Sequence, residues 1–556
     1  MKKILGLLLC GLMMTSLGAC SKSEQRVVQG SGQGFGGEIK VEVTLEGDKI
    51  VKVVATGENE TQGIGSEALE KLPVAIQEKG SLEVDVIAGA TVTSKGIIYA
   101  VNNALDPEAY PYPLKEEEKE VNEVVASDLY QGIAMVSTGR LGPGSDDQGV
   151  GVYSFNEVFA NVLFDGDGKI VDLFIDQLEV ATPNYDGASM PHFTGFPAQS
   201  YNNDENHDAK VDGVLEVNED SFMAEIASWQ TKRERGDGYV MGTGTWEKQM
   251  DKYQELFVGK SVEEVKDWFS NYTSDKNGRP LKADASDEKD KAKYDALSDD
   301  EKAMLAEVTS AATMSLNDSH GDIISAIVKA YENRRPLTIE TASARGFGLS
   351  NMGRLGPGSD DQGIGVYSFN QVFADVLFDE EGRVVAINVD QLEVATPNYD
   401  GASMPHFTGF PAQSYNNDEN HDAKVDGVLE VNEDSFMAEI ASWQTKRERG
   451  DGYVMGTGTW EKQMDKFEEI FVGKTVAEIE EWFSKYTSDK NGRPLKAEAS
   501  DEKDKAKYDA LSDEEKAMLA EVTSAATMSL NDSHGNILEA IKKAYDNRVE
   551  VKISIE

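Results

Sequence analysis

Three threonines stand in closely related strings. The first is Asp85-Val86-Ile87-Ala88-Gly89-Ala90-Thr91-Val92-Thr93-Ser94. Glu307-Val308-Thr309-Ser310-Ala311-Ala312-Thr313 and Glu521-Val522-Thr523-Ser524-Ala525-Ala526-Thr527 are altered versions, each with an acid six residues before its threonine. A threonine hydroxyl is a weak nucleophile near neutral pH and needs an external base. No such base accompanies Thr91, so any covalent chemistry there calls for a separate enzyme. The small residues Gly89 and Ala90 let backbone approach a bulky group, and a helix following Thr91 can stabilise a negative charge. The alternative is a threonine-rich loop that only caps that helix.

The elements around these strings follow from periodicity. Ile39, Val41, Val43 and Leu45 alternate strictly, and Ile50 to Val54 continue after Glu46-Gly47-Asp48, which reads as a β-hairpin. A helix is expected over Gly65 to Lys79, and another carries Ile97, Ile98, Val101 and Leu105 on one face. Pro107 to Val124 is proline-rich and then charge-rich, as in a linker.

Beyond residue 128 an internal repeat dominates. Gly139-Arg140-Leu141-Gly142-Pro143-Gly144 returns as Gly353-Arg354-Leu355-Gly356-Pro357-Gly358, an offset of 214, and Gln177 to Lys252 is identical to Gln391 to Lys466. Such identity is compatible with recent duplication and does not itself mark a site. Lys169 to Asp176 keeps its β-branched residues in the copy Arg383 to Asp390, as a strand does. Trp246, Met250, Tyr253 and Phe257 fall at helical spacing; Ser261/Glu264 and Ser298/Glu301 are capping boxes; an apolar helix begins at Ile323. The fold class is therefore α+β and multidomain: one small domain and two near-identical α+β repeats. The expected division is 1–19 signal, 20–29 stem, 30–106 small domain, 107–127 linker, 128–335 first repeat and 336–556 second repeat.

Lys2 and Lys3 precede an apolar run, Ile4 to Met14, and Leu17-Gly18-Ala19-Cys20 matches a bacterial lipoprotein box. The expectation is lipidation at Cys20 and an extracytoplasmic, membrane-anchored protein. The only other cysteine, Cys10, leaves with the signal, so a mature disulfide, thiolate zinc site or iron–sulfur cluster is excluded. A formal net charge of -46 argues against nucleic-acid binding.

The string at Thr91 resembles the flavin-attachment motif of FMN-binding domains: Asp, two free positions, Ser or Thr, Gly, Ala, Thr. Such domains occur in the C subunit of the sodium-pumping NADH:quinone reductase, the G subunit of the RNF complex and extracytoplasmic flavoproteins of anaerobes. Gly34-Phe35-Gly36-Gly37-Glu38-Ile39 and Glu60-Thr61-Gln62-Gly63-Ile64-Gly65 resemble the family's strand entry and loop, so the likeness covers essentially the whole small domain. It implies FMN held by a phosphoester on Thr91, with Asp85, Gly89 and Ala90 around it. Ala88 departs from the family's Ser or Thr. In the repeats it implies, with Glu for Asp and Ala for Gly, further sites at Thr313 with Glu307 and Ser310, and at Thr527 with Glu521 and Ser524. The alternative there is a pair of altered copies kept for their fold.

Other signals carry less. Gly32-Gln33-Gly34-Phe35-Gly36-Gly37 fits G-x-G-x-x-G but precedes its strand, so a dinucleotide fold is rejected in favour of a flexible stem and strand entry. His207 among Asp204, Glu205 and Asp208 reads as a solvated acidic loop, not a metal site, and Trp229, Trp246 and Trp268 read as core.

The expectation is electron transfer through up to three covalent FMN groups, in anaerobic respiration or to extracellular acceptors, rather than an enzyme with its own substrate. The partners implied are a flavin transferase, a membrane electron-donor complex or quinone-linked dehydrogenase, and an external electron acceptor. The alternative is a surface ligand- or partner-binding lipoprotein in which only the N-terminal domain carries flavin.

Overall fold

The computed structural model describes residues 25–555, apart from 35–36, 48, 58–59, 61–64, 83, 85–86, 88–89, 108, 113–121, 186, 188–189, 198–199, 204–212, 237–238, 242, 400, 402–403, 412–413 and 418–426. It falls into two compact units, Met1–Lys119 and Glu120–Glu556.

In the first unit, β1 (Gln25–Gly34), β2 (Gly37–Glu46) and β3 (Lys49–Thr56) form an antiparallel meander in that order. The expected hairpin is β2–β3. The stem expectation changes, because Gln25 onward pairs with β2 down to Gly34 opposite Gly37. The inward residues of β2, Ile39, Val41, Val43 and Leu45, pack on α1 (Gly65–Lys79) and α2 (Thr91–Leu105) through Leu72, Ile76, Ile97 and Val101. Glycines allow the closest approach: a Cβ at Gly30 would collide with the Ala100 carbonyl, and one at Gly96 with that of Gln33.

The second unit opens with β4 (Asn122–Ala126), inside the stretch expected to be a linker. It pairs in parallel with the C-terminal strand Val549–Ile555. The first repeat then runs β5 (Leu129–Arg140), β6 (Ser154–Asp165), β7 (Ile170–Ala181), β8 (Ser200–Asn203), β9 (Gly213–Glu216) and α3 (Glu219–Ala227). It continues through β10 (Val240–Met241), β11 (Gly244–Thr245), α4 (Trp246–Phe257), α5 (Val262–Tyr272), α6 (Glu288–Asp295), α7 (Asp299–Ala311), β12 (Asn317–Asp318), β13 (Gly321–Asp322), α8 (Ile323–Glu332) and β14 (Arg335–Pro336). The main sheet is ordered β14-β5-β6-β7. Both expected capping boxes form, and the charged helix α6 buries nothing. The second repeat matches element by element.

The repeats join through their sheets. Every residue of β6 from Ser154 to Phe164 is buried, which a strand covered on both faces requires. Val158, Ala160, Val162 and Phe164 face the repeat's own helices, packing with Trp246, Tyr253 and Ile327. Phe155 and Phe159 face the other way, into a core shared with Phe369 and Phe373 of the second repeat. The contacts are reciprocal. Tyr153 donates to Glu433 at 3.3 Å and Tyr367 to Glu219 at 3.3 Å. Gly139 abuts Phe436, and Gly353 abuts Phe222. β8 pairs with its counterpart at Tyr201 and Tyr415, making a four-stranded sheet from both repeats. Two copies expected as separate domains thus share one apolar core with approximate twofold symmetry, the arrangement of an isologous dimer written into one chain.

Candidate flavin site

Thr91 is the first residue of α2. The N-cap residue is Ala90, whose side chain has no oxygen to accept from the first-turn N–H groups. That suits a phosphate: the partial positive charge of a helix N-terminus and its open donors both favour an anion. The two residues after Val92 brace the turn. Thr93 and Ser94 are buried, the Thr93 hydroxyl donates to Glu60 Oε2 at 2.6 Å, and Ser94 Oγ accepts from the Ile87 N–H at 3.0 Å.

Glu60 and Thr93 belong to the two motif strings, yet residue type and spacing alone do not mark them as site residues. Their role is tertiary, since Thr93 lies 33 positions from Glu60. Glycines make room for the carboxylate: a Cβ at Gly34 or Gly65 would collide with a Glu60 oxygen. The described residues therefore fit a phosphate-bearing group such as FMN at the head of α2. Asp85 and Gly89 lie outside the described residues, as does Cys20.

The repeats place their strings differently. Glu307 and Ser310 lie within the last turns of α7, with Glu307 exposed and paired to Lys252 at 2.9 Å. Ser310 Oγ donates back to the Glu307 carbonyl at 2.7 Å. Thr313 follows the helix end, and its N–H donates to the buried Gln249 side chain at 2.9 Å. The β12–β13 hairpin intervenes before α8. Glu521, Ser524 and Thr527 repeat this, with Glu521 on Lys466 at 3.1 Å and the Thr527 N–H on Gln463 at 2.8 Å. Thr91 heads a helix, whereas Thr313 and Thr527 trail one, near the carbonyl end that disfavours an anion. A cavity of about 480 Å³ adjoins Glu521, Trp482 and Met518, and Thr527 is not among its lining residues.

Trp229, Trp246 and Trp268 are core residues, 1%, 2% and 6% exposed, so none is available to a flavin ring. His320 leans on Asp318, with Nδ1 at 2.8 Å, and His534 repeats this on Asp532. His207 and His421 lie outside the described residues. Among the described residues no group of three or more His, Cys, Asp or Glu could hold a metal, and no helix is long and apolar enough to cross a membrane.

A family model for the FMN-binding domain matches residues 34–106. The chain is 37% identical to a chlorophenol reductase of Desulfitobacterium hafniense over 184 residues, 32% of this chain and 50% of that protein. It is 40% identical to an NADH:acrylate oxidoreductase of Vibrio harveyi over 75 residues, 14% of this chain and 8% of that protein. It is 38% identical to a urocanate reductase of Eggerthella lenta over 77 residues, 14% of this chain and 13% of that protein. The chain thus spans half the length, or much less, of these relatives. Residues 34–106 are an FMN-binding domain, and the chain that carries them is a flavoprotein.

Proposed function

We propose that this chain is an extracytoplasmic electron carrier, anchored by lipid at Cys20, whose FMN is a phosphoester on Thr91. The observation that carries this reading is Thr91 at the head of α2 with no side-chain cap on that helix, inside the matched domain. Three relatives named as reductases or an oxidoreductase support redox chemistry for the group. Bound flavin would supply the electron chemistry, and the protein would hold, orient and tune it. The head of α2 would take the phosphate charge, and the Glu60–Thr93 bond would hold the turn that presents Thr91. A flavin transferase would attach FMN; a membrane complex or quinone-linked dehydrogenase would donate electrons; an external acceptor would receive them.

The position of Thr313 and Thr527 behind a helix end favours a second reading for the repeats, as a ligand- or partner-binding module without covalent flavin. Intact mass and in-gel flavin fluorescence after co-expression with a flavin transferase test both readings. One FMN-sized increment, lost in Thr91→Ala and kept in Thr313→Ala and Thr527→Ala, is the expected result. Three increments would restore flavin to the repeats, and none would overturn attachment altogether.

A further inference from the structure

Three helices of the second repeat border an open-mouthed cavity of about 480 Å³: Trp460–Phe471, Val476–Tyr486 and Asp513–Ala525, the counterparts of α4, α5 and α7. Its residues recur at helical spacing, so one face of each helix meets the space. Trp482 and Val522, 5% and 3% exposed, form the floor, and Ile470, Tyr486 and Met518 stand half-buried along the walls.

The indole of Trp482 is braced from the far side. Phe471 and Phe483 stand edge-on to it at 6.2 and 5.9 Å, and neither lines the cavity. The Tyr486 ring, which does line it, lies 5.8 Å from the indole. Rings packed in this way hold one orientation, so the aromatic surface is formed in advance of any ligand.

Charge around the rim is largely matched within the protein. Lys466 bridges Glu469 at 3.2 Å and Glu521 at 3.1 Å, Glu478 pairs with Arg383 at 2.6 Å, and Lys485 pairs with Glu515 at 2.5 Å. The remaining charged residues of the lining, Lys474 and Glu481, are of opposite sign. A ligand therefore gains most from the apolar and aromatic surface between these charges. An apolar cavity of about 150 Å³ takes one benzene ring. The space here exceeds that several-fold and falls in the range of sites for small organic molecules. Aromatic faces and the Met518 thioether favour an aromatic guest over an aliphatic one. The cavity also lies where the repeats diverge. Ile470, Glu481 and Lys485 replace Leu256, Asp267 and Asn271, and Asn271 has no charge with which to form the pair that Lys485 makes.

We propose that this cavity is a binding site for a neutral, planar aromatic molecule of two or three rings. Thr527 does not line it, so the site stands apart from the flavin reading.

The test is titration of the full chain with N-phenylnaphthylamine, a neutral probe whose emission rises on leaving water, and with its sulfonated analogue, anilinonaphthalenesulfonate. The expected result is saturable binding of the neutral probe at one site per chain, with the sulfonate bound at least tenfold more weakly. Met518→Trp fills the space from one wall and Ile470→Trp from another, and each should weaken the neutral probe at least tenfold. Both side chains stand half-buried beside open space, so the added rings have room outside the core; circular dichroism and thermal melts verify the fold, and either folded variant suffices. Met304→Trp, at the matching position of the first repeat, should leave binding unchanged. No saturable binding of the neutral probe, binding that survives a folded filling variant, or loss of binding in Met304→Trp would each overturn the proposal. A sulfonate bound as tightly as the neutral probe would overturn the ligand class and assign recognition to the lysines.

Discussion

Gln371 Nε2 donates to Glu157 Oε2 at 2.7 Å, and the two residues are the same position in the two repeats, 214 apart. Both are fully buried at the seam between the sheets. A strictly symmetric pair would set two glutamates, or two glutamines, against each other. The present pair leaves Glu157 Oε1 and Gln371 Oε1 without partners. Both orphans are acceptors, so a proton on Glu157 supplies a donor that the pair lacks. Burial pushes the Glu157 carboxyl up to about 8, with the Gln371 bond pulling weakly the other way.

That pairing makes stability depend on pH. The folded value lies above the ordinary 4.5, so the folded state holds a proton that the unfolded chain releases. The contribution is full below about 4.5 and is lost as pH rises through about 8. In Glu157→Gln this slope should vanish, leaving the variant more stable than wild type at pH 8 by on the order of a few kcal/mol. Urea unfolding at pH 5, 7 and 9 measures it. Burial raises Asp176 and Asp390 to about 6 and Glu225 and Glu439 to about 7, so the quantity to compare is the difference between the two proteins. Equal slopes would mean that Glu157 stays ionised.

Phe155 stacks on its own counterpart, Phe369, at 6.0 Å and an interplanar angle of 1°. Phe155→Ala opens a cavity in a core that both repeats share, and about 3–5 kcal/mol should be lost. Because the two rings touch, Phe155→Ala and Phe369→Ala together should depart from the sum of their separate effects. Additive losses in denaturant melts would show that the repeats do not support each other there.

Gly30 is a packing glycine. Gly30→Ala would drive a methyl group into the Ala100 carbonyl and the Ala104 backbone of α2. The strand must move or the helix must, at about 1–3 kcal/mol. Limited proteolysis and circular dichroism should find a loosened FMN-binding domain, and a variant as resistant as wild type would show that β1 does not lie against α2.

Thr93→Val keeps the shape of the side chain and removes the donor to Glu60. A part-buried carboxylate that loses a hydrogen bond costs about 1–3 kcal/mol. Flavin loading by a limiting amount of transferase should fall while Thr91 itself is unchanged. Unaltered loading and melting would confine the Glu60–Thr93 bond to a local detail.

Periodicity and capping chemistry are local, and they made much of this protein legible. The β2–β3 hairpin, α1, the 214-residue repeat, the capping boxes at Ser261 and Ser298 and the threonine at the head of α2 all stand where the residues place them. Chemistry that depends on distant partners was not legible. Glu60 meets Thr93, Lys232 meets Glu179 and Glu157 meets Gln371 only because strands and helices far apart in sequence fold together. The strings at Thr313 and Thr527 show the same limit. They carry a motif-like order of residues, yet the chain sets them after a helix instead of before one, and the sign of the helix-end charge depends on that placement. β6 is buried on both faces, but which face meets the repeat's own helices and which meets the other repeat is a matter of packing. Side-chain type is written residue by residue, whereas charge balance, burial and symmetry belong to the assembled core.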